Sequence, residues 1–226
     1  MVYVTGDMHG DFSRFTKTEI KKLKKGDTLI VCGDFGFVWD GSKQEKKRLK
    51  KIGSKKYNVL FVPGCHDNYK LLEEYEESDW NGGRVRVISG NLRMLCRGSV
   101  FDIEGHSIFA FGGGTSDDTS MREQQNCWWE EEQPTQQEIE LAVRNLAARK
   151  NKVDVVITHD VPTSIADFLE MQELSETSFI NVFLERVNQA VDCRRWFFGK
   201  YHEDKVISSK FKAVYMKLTP LEEKEG

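Results

Sequence analysis

Asp7 and His9, Asp34, the trio Cys65, His66 and Asp67, His159, and the pair Lys200 and His202 each stand just past the end of an apolar run. The runs are Val2-Tyr3-Val4-Thr5, Thr28-Leu29-Ile30-Val31-Cys32, Val59-Leu60-Phe61-Val62, Val153-Asp154-Val155-Val156-Ile157 and Trp196-Phe197-Phe198. Four of the chain's five histidines lie at these endings. Asp and His are hard-to-borderline ligands suited to Mn, Fe or Zn. Carboxylates and imidazoles gathered in this way point to a metal centre built for hydrolysis.

Such residues meet only if the runs are strands of one framework. Each run reads as a buried strand that stops at a loop. In an α/β sheet, ligands bind beyond the carboxyl ends of the strands, so distant positions can share one site. Between the early strands, Phe12 to Lys25, Gln44 to Ile52 and Asn68 to Glu77 read as helices, the second strongly basic and the third acidic. Strand alternating with helix predicts βαβ units and a parallel sheet. Val85 to Ile88, Leu92 to Leu95, Ser99 to Ile103 and Ser107 to Phe111 are short strands separated by Gly-marked turns. These predict hairpins and a second, mainly antiparallel sheet. Gly112-Gly113-Gly114-Thr115-Ser116-Asp117-Asp118 opens a long loop through Trp128-Trp129 and Glu130-Glu131-Glu132 to Pro134, read as a lid or wall. Thr135-Gln136-Gln137-Glu138 has the capping-box pattern and starts a helix to Lys150. Ser164 to Asp192 reads as mostly helical, Phe211 to Leu218 as a last strand, and Glu222 to Gly226 as a frayed acidic tail. No repeat or linker divides the chain, which predicts a single domain over 1–226.

Composition narrows the setting. A chain of 226 residues, 39% hydrophobic and 31% charged, has the balance of a soluble globular protein with a substantial core. A net charge of -3 and the Glu130 to Glu132 run argue against a nucleic-acid partner. The five cysteines are scattered and form no C-x-x-C pair, so neither a disulfide framework nor a zinc knuckle is expected. No apolar run approaches the ~20 residues of a membrane span. The opening residues lack a basic n-region, and a cytoplasmic location is the expectation.

The ordered set is more telling than any member. Gly6-Asp7-Met8-His9, Gly33-Asp34, Gly64-Cys65-His66-Asp67, Thr158-His159 and Gly199-Lys200-Tyr201-His202 follow one another along nearly the whole chain. This series resembles the calcineurin-like metallophosphoesterase superfamily, whose pattern is D-x-H, G-D, G-N-H-[DE], a lone H and G-H-x-H. The resemblance implies an α/β, four-layer αββα sandwich of two mixed sheets flanked by helices. It implies a phosphomonoesterase or phosphodiesterase acting on a phosphorylated small molecule or a phosphoprotein side chain, with one or two divalent metal ions. Carried over residue by residue, Asp34 is the carboxylate that bridges the metals. Asp7, His9 and His202 complete the first site, and His159 belongs to the second. His66 is the acid that protonates the leaving alkoxide, oriented by Asp67. The Gly-Gly, Ser-x-Asp, Arg, Trp-Trp segment resembles a bacterial and phage subgroup, in which Arg122 would clamp phosphate through its guanidinium.

Two positions depart from the pattern, both at the second metal. Cys65 stands where Asn is expected, and Lys200 where the first His of G-H-x-H is expected. A protonated lysine cannot ligate a metal. Cys65 reads either as a thiolate ligand, which would favour Zn or Fe(II), or as a small filler. Lys200 reads as an ammonium standing in for part of the missing charge, or as a solvated surface lysine. The alternative to an enzyme is a catalytically weak regulatory or binding protein on the same scaffold. Three further residues keep two readings each: Trp128 and Trp129 as substrate platform or lid packing, and Asp11 as helix cap or support for His9. His106 reads as a surface turn, and the basic Gln44 to Lys56 stretch as a solvated helix face.

Overall fold

A computed structural model of the chain describes residues 1–116, 119–124, 127–169 and 178–222. Asp117 and Asp118 of the Gly-rich loop, the middle of the helical stretch after Ser164 and the end of the acidic tail lie outside them.

The chain begins with β1 (Val2–Thr5), the short helix α1 (Arg14–Lys17), β2 (Thr28–Cys32), α2 (Lys43–Gly53), β3 (Asn58–Val62) and α3 (Tyr69–Glu73). Then come β4 (Glu77–Trp80), β5 (Gly83–Ser89), β6 (Leu92–Leu95), β7 (Ser99–Ile103) and β8 (His106–Phe111). Next are α4 (Thr119–Gln124), α5 (Gln136–Ala148), β9 (Val155–Thr158), α6 (Thr163–Leu169) and α7 (Phe179–Ala190). The last strands are β10 (Arg195–Phe198), β11 (Lys205–Val206), β12 (Phe211–Ala213) and β13 (Thr219–Pro220).

Two mixed sheets result, ordered β13-β1-β2-β3-β6-β5-β4 and β11-β12-β10-β9-β8-β7. β1, β2, β3 and β6 run parallel in the first, and β8, β9, β10 and β12 in the second. β2, β3 and β9 are covered on both faces, which is why they read as continuous apolar runs without polar alternation. Ile30 and Cys32 of β2 pack with Val155 and Ile157 of β9 and Phe197 of β10 between the sheets. Leu29 and Val31 turn the other way, onto Phe15, Leu49 and Ile52 of the first helical layer. Val156, Trp196 and Phe198 turn onto Leu146 of α5 and Phe183, Leu184 and Val187 of α7. This is the αββα sandwich, with the Thr135–Glu138 capping box in place at the start of α5.

Several local expectations are corrected. The four central strands do not make one antiparallel sheet: β5 and β6 extend the first sheet, and β7 and β8 join the second. The Cys96-Arg97-Gly98 turn carries the chain between sheets, although its glycine reads like a hairpin signal. Gly98 sits there at φ 75 with its α-carbon against α5, where a Cβ would lie 2.8 Å from the Ala142 nitrogen. The Phe12 to Lys25 helix is broken at Thr18, whose extended backbone and hydroxyl cap a separate 3-10 turn, Glu19–Lys22. The acidic helix stops at Glu73, and Glu77–Trp80 becomes an edge strand on β5. The last strand is divided: β12 lies in the second sheet and β13 pairs with β1 in the first. Asp204 turns the chain between them by accepting from the backbone N–H groups of Tyr215, Met216 and Lys217. Among the described residues no helix is long and apolar enough to cross a membrane.

Candidate metal centre

The carboxyl ends of β1, β2, β3, β9 and β10 converge, and each delivers one or two polar side chains. Asp7, His9, Asp34, Lys200 and His202 do so from left-handed backbone, at φ 37, 44, 43, 63 and 50. Such conformations cost of order 1–3 kcal/mol each in a non-glycine residue and persist where the surroundings over-determine them. Glycines let these residues crowd together. A Cβ on Gly33 would lie 2.0 Å from His159 Nδ1, one on Gly64 2.1 Å from Asp34 Oδ1, and one on Gly199 2.6 Å from Asp7 Oδ2.

Asp7, His9, Asp34 and His202 form one donor group, their ligand atoms all within 4.8 Å of one another. His9 Nε2 and His202 Nε2 are 2.9 Å apart, and His9 Nε2 is 3.8 Å from Asp34 Oδ2. Asp7 Oδ2 is buried without a hydrogen-bond partner. Burial pushes the Asp7 carboxyl up to about 7. Burial also opposes ionisation of Asp34, but His159 and His66 outweigh it and hold that carboxyl well below the usual range. Burial lowers both His9 and His202, keeping their nitrogens neutral and able to ligate. A buried orphan carboxylate oxygen beside two neutral imidazoles fits a divalent cation, and among the described residues no hydrogen-bond donor satisfies that oxygen.

Asp34, Cys65 and His66 form a second donor group within the same 4.8 Å limit. His66 approaches Asp34 twice, through its backbone N–H to Oδ1 and its ring Nδ1 to Oδ2, each at 2.8 Å. That contact with Asp34, supported by Cys65, raises the His66 imidazole to about 10. His159 is fully buried, with Nε2 3.4 Å from Cys65 Sγ and 3.5 Å from Asp34 Oδ1. Asp34, Cys65, His66, Thr115, His159, Lys200 and His202 line a cavity of about 230 Å³. A groove of about 460 Å³ adjoins it at His66 and runs past His9, Phe37 and Trp39 to Arg48.

Asp67 does not orient His66. Its carboxylate, 1% exposed, accepts from the backbone N–H groups of Phe35, Gly36 and Gly64 at 3.1, 2.7 and 2.9 Å. It therefore ties the loop after β2 to the loop after β3. Arg122 does not face the cavity. It is 4% exposed, ion-paired to Glu132, and bonded to the Ser116 hydroxyl and the Cys127 carbonyl. A guanidinium committed to three internal acceptors braces the long loop and is not a phosphate clamp. Trp129 packs edge-on against Trp39 at 5.4 Å, and Trp128 Nε1 donates to Glu132, so this pair is loop packing. Asp11 accepts from the Ser13 backbone and hydroxyl at the entry to α1, away from His9. His106 opens β8, 3.7 Å from Glu222.

Lys200 is not a solvated lysine. Its Nζ donates to Asp160 Oδ2 at 2.8 Å and to the Thr115 carbonyl at 3.2 Å. Asp160 is fully buried; burial opposes its ionisation, but Lys200 outweighs burial and lowers its pKa. Asn181 of α7 donates to the other Asp160 oxygen at 2.8 Å. The Lys200–Asp160 pair is thus neutral as a unit and adds no net charge in place of an ion.

Sequence reasoning missed Asp160, Arg14 and Arg97. Asp160 had a signal, since it stands beside His159 two residues past the apolar β9. Arg14 donates to the carbonyls of Gly6, Asp7 and Tyr215 and fixes the first loop, yet nothing local marks it. Arg97 donates to the carbonyls of Gly112, Glu131, Glu132 and Gln133 and to the Tyr69 hydroxyl, which itself donates to Gly64. It connects the Gly-rich loop to the loop carrying Cys65 and His66.

The sequence model of calcineurin-like phosphoesterases matches residues 1–202. A search of curated proteins finds no match. Among solved structures, phosphopantetheinyl hydrolase from Mycobacterium tuberculosis is similar at 13% identity and a TM-score of 0.41, over 95% of this chain and 89% of that one. The matched span takes in every strand end that lines the cavity, and the chain belongs to the calcineurin-like phosphoesterase family.

Proposed function

We propose that the chain hydrolyses a phosphomonoester or phosphodiester at the cavity, with Asp7, His9, Asp34 and His202 holding a divalent cation. The observation that carries this is the unpartnered, buried Asp7 Oδ2 within that donor group. A cation bound there supplies Lewis-acid charge at the phosphoryl group and acidifies water. His66 is the general acid. Its imidazole is protonated at neutral pH, and with Nδ1 engaged by Asp34 the proton for the leaving oxygen sits on Nε2. His66 lines both the cavity and the groove, so the leaving group extends into the groove. Lys200, aimed by Asp160 and Thr115, lines the cavity and is placed to hydrogen-bond a phosphoryl oxygen. A groove bearing Asp40 and Glu45 beside Arg48 suits a small phosphorylated molecule or a phosphoprotein side chain better than a nucleic-acid backbone.

Metal content and turnover of a chromogenic phosphomonoester and its diester test this reading. His202→Ala should lower both metal content and turnover. His66→Asn should keep the metal and lose roughly 10²–10⁴-fold on alkyl esters, with a small loss on nitrophenyl esters that need little protonation. Unchanged metal and rate in His202→Ala would refute the ligand set, and equal losses on both ester types would refute the acid.

A further inference from the structure

The groove that meets the cavity at His66 has a floor of backbone beside His9. Gly10 and Gly36 press together there, so that a Cβ on either would lie 2.6 Å from the other's backbone. The large apolar side chains of the groove are Phe37 and Trp39. Phe37 is buried against Phe15 and Phe35, but Trp39 is 40% exposed. It is nevertheless firmly held. Its N–H donates to Glu45 Oε2 and its carbonyl accepts from Asn68 Nδ2, each at 2.7 Å, and its ring meets Trp129 edge-on at 5.4 Å. Glu45 is buried in the first turn of α2 and also accepts from the N–H groups of Asp40 and Gly41. Asn68 caps α3, two residues after His66. The indole is thus tied to two helices and to the long loop while much of its surface stays open to the groove. A rigid aromatic with an open face is a preformed surface for a second flat ring.

We propose that Trp39 determines specificity as an aromatic platform, for a leaving group whose planar ring is joined to the ester oxygen through a saturated segment. The saturated segment crosses the glycine floor, and the ring stacks on the indole. Nucleosides and aryl-substituted alcohols share this chemistry. Apolar bulk alone does not satisfy such a site, because a well-oriented aromatic pair is stabilised beyond the area it buries. The contact is the same in the ground and transition states, so losing it raises KM and spares kcat. The inference rests on the phosphoesterase reading for the bond that breaks, and its test separates the two.

The experiment is steady-state hydrolysis of phenylethyl phosphate and cyclohexylethyl phosphate by the metal-loaded full chain. The two alcohols are close in size, and only the first has a flat ring. The ratio of their kcat/KM values should favour the flat ring by about 2- to 13-fold, carried by KM. Trp39→Leu should bring the ratio to about one, and Trp39→Phe should restore the preference. Each ratio is taken on one protein, so a variant that folds or loads metal poorly lowers both rates and leaves the ratio readable. Adenosine monophosphate against ribose phosphate gives a second ratio. A gain above the phenyl preference assigns the ring to a nucleobase and a smaller gain to a benzenoid ring, and each must vanish in Trp39→Leu. Equal kcat/KM for the phenyl and cyclohexyl esters in the unmodified chain would overturn the proposal. So would a preference that survives in Trp39→Leu, since the ring would then lie elsewhere, or one carried by kcat. The matching phosphonates, which are not hydrolysed, are titrated by calorimetry in parallel. Hydrolysis without a ring preference sinks the platform alone, and a ring preference among the phosphonates without hydrolysis of any ester sinks the enzymatic reading alone.

Discussion

Gly64→Ala isolates how closely the site is packed. A Cβ at Gly64 would stand 2.1 Å from Asp34 Oδ1 and 2.4 Å from the Asp34 backbone nitrogen. Contacts under 3.0 Å essentially never occur, so the Asp34 carboxylate must move by about 0.9 Å and the two loops must part by at least about 0.6 Å. Rotating the Asp34 side chain gives no escape, because the backbone nitrogen blocks as well. The displaced carboxylate is the one that accepts from the His66 backbone at 2.8 Å and faces His159 at 3.5 Å. A misplacement of ~1 Å at reacting groups can cost ~10²-fold in rate, and overpacking typically costs about 1–3 kcal/mol of stability. Gly26→Ala is the matched control. Gly26 sits at φ 89 with nothing within 4 Å of a Cβ, so alanine there carries left-handed strain of ~1–2 kcal/mol and touches nothing. Gly64 has the reverse problem, a clash without a left-handed φ. Thermal unfolding, metal per chain and chromogenic phosphoester turnover should be measured on both variants. Both should melt lower, by roughly 2–4 °C per kcal/mol, but only Gly64→Ala should lose metal and about two orders of magnitude in rate. If Gly64→Ala binds metal fully and turns over within about threefold of Gly26→Ala, the crowding around Asp34 is not what sets the site.

Arg97→Met should lower the melting temperature, because it strands the carbonyls of Gly112, Glu131, Glu132 and Gln133, a buried acceptor left unpaired costing about 1–3 kcal/mol, whereas its pair with half-exposed Glu138 adds little. Lys200→Met should destabilise by ~3–5 kcal/mol by leaving Asp160 charged and buried, and Lys200→Met/Asp160→Asn should recover most of it; failure to recover would mean the pair is not coupled. In chelated protein the Asp7 carboxyl, raised from 3.8 to about 7 by burial, contributes stability that is present at low pH and lost as pH rises through 7. A cation must expel that proton, so the gap in melting temperature between metal-loaded and chelated protein should widen from pH 5 to 7, and a gap that narrows would contradict the role of Asp7.

Much of the site was legible because its chemistry is written at strand ends. Five apolar runs stopping at Asp, His or Cys announce a convergence beyond the sheets, and the order D-x-H, G-D, C-H-D, H, K-x-H carries the family. The parallel strands β2, β3 and β9 could be read because they are buried on both faces. Where the reading failed, the deciding contacts are long-range. Whether the turn at Arg97 closes a hairpin or crosses between sheets depends on carbonyls 34 to 36 residues away at Glu131, Glu132 and Gln133. Arg122 reads as a clamp until Glu132 and the Cys127 carbonyl are seen to claim it, and Asp67 reads as a partner of its neighbour His66 until the loop after β2 presents its N–H groups. Residue type and spacing alone determined which groups could bind a cation, because that capacity belongs to each side chain. Which groups do face one another was decided only by the tertiary structure, because a buried charge takes whichever partner the packed backbone brings within hydrogen-bond reach, as Lys200 takes Asp160 from another strand end.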